Sequence, residues 1–358
     1  MTGDGTAGPG RPEAGGGYAG VRAAVVGTGL IGGSVLLRLR DAGLDVTGWD
    51  PDPATREHAR RQWVTAPETV EEAVAGRDVV FLCGPLPTLP ATLPLVAAAS
   101  PPGCVLTDVG STKAEVAAAA ARHGLLDRFV PGHPMAGAES AGLTAAAPTL
   151  LDGAAWVLCP AAGPATGAFR WLTGLLLEVF RARVVPMAAA AHDTAAALAS
   201  HVPHLLAGAL AGAVRRATLR DAVLALAAGS FRDGTRVAGT PAVRTANMLL
   251  GNRERVLREL AGVTAYLDEL ADALRSGDAE RLTALHAEAG AARELLSGRA
   301  YATRVRDFPA SGDHADEVAW LRELGAAGGH LGGCHVRADR VAYTAHVPDP
   351  PGPRQAAD

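Results

Sequence analysis

Hydrophobic and polar positions change period along this chain, and the change divides it. Short apolar runs at 21–26, 45–49, 78–83, 104–107, 128–130, 155–158 and 183–185 are β-branched or flanked by turns, and they read as strands. Between them lie stretches at helical spacing, among them 30–42 and 165–180. Such alternation builds a parallel sheet with helices on both faces, so residues 21–187 are expected to form a doubly wound α/β domain. Beyond Met187 strands almost vanish. The segments 188–216, 219–228, 242–250, 254–275 and 279–296 all carry helical spacing, which predicts an all-α domain over 188–298. After Arg299 the pattern offers a strand at 303–305, a helix at 315–324 and a strand at 340–344. The expectation for 299–358 is a short α+β or partly disordered tail, ending in Pro-Asp-Pro-Pro-Gly-Pro. Residues 1–20, rich in Gly, Pro and Ala, are expected to be a disordered leader with no secretory signal.

Composition narrows the class. With 48% hydrophobic and 20% charged residues in 358, the chain can bury a sizeable core. Its net charge of −4 is spread without long blocks, which argues against nucleic acid or an anionic membrane surface as partner and leaves room for a small anionic substrate. The most apolar helical stretch, 205–214, is stopped by Arg215 and Arg216, short of the roughly 20 residues a membrane span needs. Cys83, Cys104, Cys159 and Cys334 are far apart, with no metal-ligand spacing, and read as reduced thiols in a cytoplasmic protein without a metal site.

Gly27-Thr28-Gly29-Leu30-Ile31-Gly32 fits G-x-G-x-x-G after a predicted strand and at the start of a predicted helix. The first glycine permits the turn, the second lets backbone approach a pyrophosphate, and the third lets helix and strand pack closely. Asp50, at the end of the second strand, can accept hydrogen bonds from the ribose hydroxyls of NAD and would repel the 2′-phosphate of NADP. The N-terminal domain is therefore expected to be of the Rossmann type and to bind NAD in preference to NADP, with Arg56 the residue that could meet a 2′-phosphate.

Three further segments carry chemistry. Asp108-Val109-Gly110-Ser111-Thr112-Lys113 follows one strand, and Gly132-His133-Pro134-Met135-Ala136-Gly137-Ala138-Glu139 follows the next. Both fall at the carboxyl edge of the sheet, where such folds bind ligands. The third is split: His192-Asp193, Ser200-His201-Val202-Pro203-His204, and Phe231-Arg232-Asp233-Gly234-Thr235-Arg236. In this order after the glycine turn, the blocks resemble the prephenate/arogenate dehydrogenase family over residues 21–252.

The resemblance implies NAD-dependent oxidative decarboxylation of prephenate or arogenate, and a homodimer formed through the helical domain. It implies that His133 is the base that takes the ring-hydroxyl proton, a task a neutral imidazole suits. Ser111 then resembles the residue that holds this histidine and reaches the same hydroxyl. Arg236 resembles the binder of the ring carboxylate, which a planar guanidinium can grip with two charge-assisted bonds. His204 and Ser200 resemble substrate-pocket residues, and Glu139 a gating acid at the pocket mouth. His192-Asp193 reads as a helix-start and domain-junction feature, and Lys113 as support for its loop. The family's Met-Trp-x-Asp segment is missing after Pro241; Arg244 or a neighbour stands in the tryptophan's place, which opens 4-amino-4-deoxyprephenate as an alternative substrate. The tail offers only part of a β-α-β pattern, so no complete ACT domain is expected. A β-hydroxyacid dehydrogenase would use a lysine in the second domain, and no lysine follows Lys113. A non-catalytic NAD-binding sensor would have no need of a base beside a carboxylate clamp.

Overall fold

The computed structural model describes residues 17–349 except 63 and 164. β1 (Arg22–Val26), β2 (Asp45–Trp49), β3 (Val79–Leu82), β4 (Val105–Asp108) and β5 (Phe129–Val130) form a parallel sheet in the order β2-β1-β3-β4-β5. Their near-continuous apolar runs are explained by burial on both faces. Val25 and Phe81 point into one core with Leu36, Trp156 and Phe180. Their chain neighbours Val26 and Leu82 point into the other, with Leu93 and Leu106. The helix Leu30–Asp41 covers one face and Leu89–Ala99 the other.

One expectation needs correcting here. The strands do not continue as one parallel sheet to Met187. A second, mixed sheet begins at β6 (Gly132–Pro134) and continues through β7 (Ala155–Leu158) and β8 (Arg183–Pro186). A single residue separates β5 from β6, far too little for the crossover a parallel neighbour requires, and β6 runs antiparallel to β7.

The tail completes this sheet. β9 (Tyr301–Pro309), β10 (His330–Val336) and β11 (Arg340–Pro348) extend it in the order β6-β7-β8-β10-β11-β9. Through Pro348 the tail is therefore ordered and docked. Arg170, on the helix Ala165–Phe180, meets Glu317 of the helix Ala315–Ala326, with its Nε 2.9 Å from Oε1, and Tyr343 on β11 donates to the same carboxylate at 2.6 Å. All three side chains are buried, so the charges are paired where water cannot reach them. β10 was illegible because Gly332-Gly333 interrupts its apolar pattern, and the strand carries a register shift there. The leader expected over 1–20 lies outside the described residues up to 16. Beyond that it is packed: Tyr18 is buried edge-on against Trp171, and its hydroxyl donates to the Trp171 carbonyl at 3.2 Å.

From Ala189 the chain is helical. A continuous helix runs over Ala189–Arg216 with a wide π turn at Ala197–His201. The turn falls where Pro203 has no N–H for the carbonyl of Ala199. The helices Arg220–Leu226, Gly229–Thr235, Ala242–Gly251, Arg253–Ser276 and Ala279–Ser297 follow. The long helix exceeds the apolar stretch read from sequence and is apolar enough, by length and composition, to cross a membrane. Its polar residues give it another role: His192, Asp193 and His201 are buried against the α/β domain and the neighbouring helices, and bonded there. Leu206, Leu210, Leu250 and Leu257 remain exposed on this helical region.

Candidate active site

The glycine turn follows β1 as expected, and its geometry demands glycine at two positions. Gly27 has φ +94°, and a Cβ there would lie 2.7 Å from the Gly84 nitrogen; at Gly32 a Cβ would lie 1.9 Å from the Gly27 carbonyl oxygen. Gly29 faces open space. It precedes the helix carrying Leu30 and Ile31, and among the described residues no side chain caps that helix, which leaves its first N–H groups for a phosphate. The buried Thr28 hydroxyl has no partner among the described residues. Asp50 Oδ2 accepts from the Thr28 N–H at 2.9 Å, which holds the carboxylate against the turn. Arg56 does not reach outward for a 2′-phosphate. It is buried, donating to the Asp50 carbonyl at 2.8 Å and to Glu68 at 2.8 Å. Open backbone, free helix terminus and a carboxylate at the strand end fit NAD.

The second cluster gathers at the ends of β4 and β6. Asp108 and Lys113 are both 0% exposed and form an ion pair. Asp108 also accepts from the Gly110 N–H at 2.9 Å and the Gly132 N–H at 3.1 Å, and Lys113 donates to the Gly132 carbonyl at 2.7 Å. Gly132 is thereby clamped on both its polar groups, and His133 beside it is placed by bonds that end in a buried ion pair. This gives Lys113 a defined positioning task.

His133 is half-buried, and its Nδ1 lies 2.9 Å from His192 Nε2 with the rings edge to face. Burial, with His192, Lys113 and His201 close by, holds its pKa well below the usual 6.5, so the imidazole stays neutral. His192 Nδ1 in turn lies 2.8 Å from Asp193 Oδ1. Asp193 also accepts from the Lys113 and Ala114 amides at 2.7 and 2.9 Å. Burial alone would raise the Asp193 pKa, but His192 and the two amides outweigh it and the pKa is lowered. Asn252 braces the same group, donating to the Asp193 carbonyl at 2.6 Å and lying 3.2 Å from His201 Nδ1. Burial pushes His201 down to about 4.

The other sequence-selected residues are placed as follows. Ser111 sits on the turn between Asp108 and Lys113, and among the described residues no hydrogen bond joins it to His133; that contact belongs to His192. His204 Nδ1 is 2.9 Å from the Ser200 carbonyl, one helical turn back, so this nitrogen carries a proton, and among the described residues Nε2 has no hydrogen-bond partner. Arg236 reaches across from the helical region to pair with Glu139 in the loop after β6. This pair is exposed, at 64% and 41%. Arg244 donates to the Ala138 carbonyl at 2.9 Å, so two guanidiniums flank the Glu139 loop. Sequence reading missed the Asp108 clamp, the His192–Asp193 contact, Asn252 and the partner of Arg244. Only the adjacency of His192 and Asp193 offered a signal.

Comparison with known proteins points to one family. Residues 35–185 match the model of the prephenate dehydrogenase nucleotide-binding domain, and residues 188–288 that of the prephenate dehydrogenase dimerization domain. The cyclohexadienyl dehydrogenase of Zymomonas mobilis is 30% identical over 279 residues, covering 76% of this chain and 95% of that protein. Among solved structures, the Synechocystis arogenate dehydrogenase shares 28% identity at a TM-score of 0.66, covering 77% of this chain and all of its own. The prephenate dehydrogenase of Aquifex aeolicus, solved in complex with hydroxyphenyl propionate and NAD+, shares 25% identity at a TM-score of 0.70, covering 77% of this chain and 98% of that one.

Proposed function

Because this chain belongs to the prephenate dehydrogenase family, we infer that it is an NAD-dependent oxidoreductase that oxidises and decarboxylates prephenate or arogenate. The observation that carries the reading is the placement of His133, whose Nδ1 lies 2.9 Å from His192 Nε2 and whose burial holds its pKa well below the usual 6.5. Gly27–Gly32 would hold the pyrophosphate of NAD and Asp50 its ribose, and NAD would supply the hydride acceptor. His133 takes the proton of the ring hydroxyl as hydride leaves the same carbon. The bond to the ring carboxylate then breaks, CO2 departs, and its electron pair aromatises the ring. The oxygen takes the proton back from His133.

Arg236 is the ring-carboxylate binder in this reading, and Glu139 the acid that occupies it between turnovers. Their exposure means that a substrate carboxylate can displace Glu139 at little cost. Ser111, Ser200 and His204 line the substrate side, with His204 Nε2 available to a polar side-chain group. The exposed leucines of the helical region form the homodimer face, in the segment that matches the dimerization model. The relatives are biosynthetic enzymes of small molecules, and a cytoplasmic location belongs to this reading.

Steady-state kinetics of Arg236→Ala test the carboxylate assignment. Loss of a charge-assisted pair should raise KM for the substrate roughly 10- to 100-fold, with a smaller change in kcat. An unchanged KM would assign the carboxylate to another group.

A further inference from the structure

The contact between His133 and His192 decides which nitrogen of His133 is the base. Backbone N–H groups only donate, so the Lys113 and Ala114 amides fix the Asp193 carboxylate as an acceptor. The His192 nitrogen facing it, Nδ1 at 2.8 Å, must therefore carry a proton. Where each ring carries a single N–H, His192 Nε2 is left with a bare lone pair. That lone pair lies 2.9 Å from His133 Nδ1, so the proton between them belongs to His133. His133 Nε2 is then the bare nitrogen, directed away from the pair.

We propose that His192 and Asp193 are positioning residues for the reaction: they hold His133 in the tautomer whose Nε2 is the free base, and His192 takes over the proton during turnover. The inference rests on His133 being the base. When His133 Nε2 takes the substrate's hydroxyl proton, its Nδ1 proton passes to His192 Nε2. The positive charge then sits on His192 against the Asp193 carboxylate, and the path reverses when the ring oxygen reclaims its proton. No oxidant or further proton is needed. The contacts span 59 residues from His133 to His192 and 80 from Lys113 to Asp193, so the pair also ties the long helix to the α/β domain.

Two substitutions in the full chain separate this role from packing. His192→Leu removes acceptor and donor. His192→Gln keeps a carbonyl oxygen for His133 Nδ1–H and an amide N–H for Asp193, but cannot take a proton. The Leu variant should lose roughly 10²-fold or more in kcat, with NAD affinity and substrate KM within a few-fold of the parent. The Gln variant should recover about tenfold of that loss. Full kcat in the Leu variant, or equal losses in both with lowered melting temperatures, would overturn the proposal. Nitrogen-15 spectra of histidine-labelled protein read the tautomer without any turnover: Nδ1 of His133 protonated and Nε2 bare is the expected result, and the reverse overturns it. If His133→Asn is also inactive while the Leu variant is not, the base stands and the relay falls. If the parent oxidises neither prephenate nor arogenate while the spectra show the expected tautomer, the catalytic reading falls and the positioning geometry stands.

Discussion

Replacing His133 with Asn should lower kcat by roughly 10²–10⁴-fold, the usual worth of a positioned acid–base group, while leaving NAD affinity within a few-fold of the parent. Asn can keep a hydrogen bond in the vicinity of His192 but offers no nitrogen that accepts a proton. The cofactor turn is built separately, from Gly27, Gly32 and Asp50 around β1 and β2, and among the described residues no hydrogen bond joins it to His133. Titration of NAD by intrinsic fluorescence, beside initial rates, separates the two effects. Unchanged turnover in the variant would remove the base assignment and with it the proposed course of the reaction.

The second large effect is expected at Lys113. Lys113→Met keeps much of the buried stem but leaves the Asp108 carboxylate, itself 0% exposed, without its cation. Breaking a buried pair from one side costs about 3–5 kcal/mol. The clamp on Gly132 loses its carbonyl partner at the same time, so His133 is released and activity should fall even in the fraction that folds. Urea unfolding gives the stability change. Adding Asp108→Asn to Lys113→Met should restore part of it, because the remaining amide carries no charge. A loss below about 1 kcal/mol would mean that the pair does not hold this corner together.

How much of this was legible in the sequence depended on the distance over which each residue acts. The glycine turn could be read because its demands are local: Gly27 needs its positive φ and Gly32 its missing Cβ within one strand-turn-helix unit. β1 and β3 could be read because burial on both faces leaves a continuous apolar run. His133, Arg236 and Glu139 were singled out by motif order, and the structure adds that the last two meet across the domain boundary. The His192–Asp193 pair was read as a helix-start and domain-junction feature, and it does join the long helix to the α/β domain; its contact with His133 was not legible. Its partners lie in β6 and at the start of the helix Ala114–Arg122, and no local pattern encodes a contact made over such separations. In the tail the strand at 303–305, the helix at 315–324 and the strand at 340–344 were legible, and only β10 was missed. β10 is too glycine-rich to announce itself, and without it the pairing of the tail with β8 has no visible edge. Arg244 showed only as a departure from the family's pattern; its bond to the Ala138 carbonyl places it on the same loop as Glu139.

The account is tested most directly by incubating the purified chain with NAD and either prephenate or arogenate, and measuring NADH and CO2 together. Equal amounts of NADH and CO2 from at least one of the two substrates is the predicted result. No NADH from either, or NADH without CO2, would contradict it.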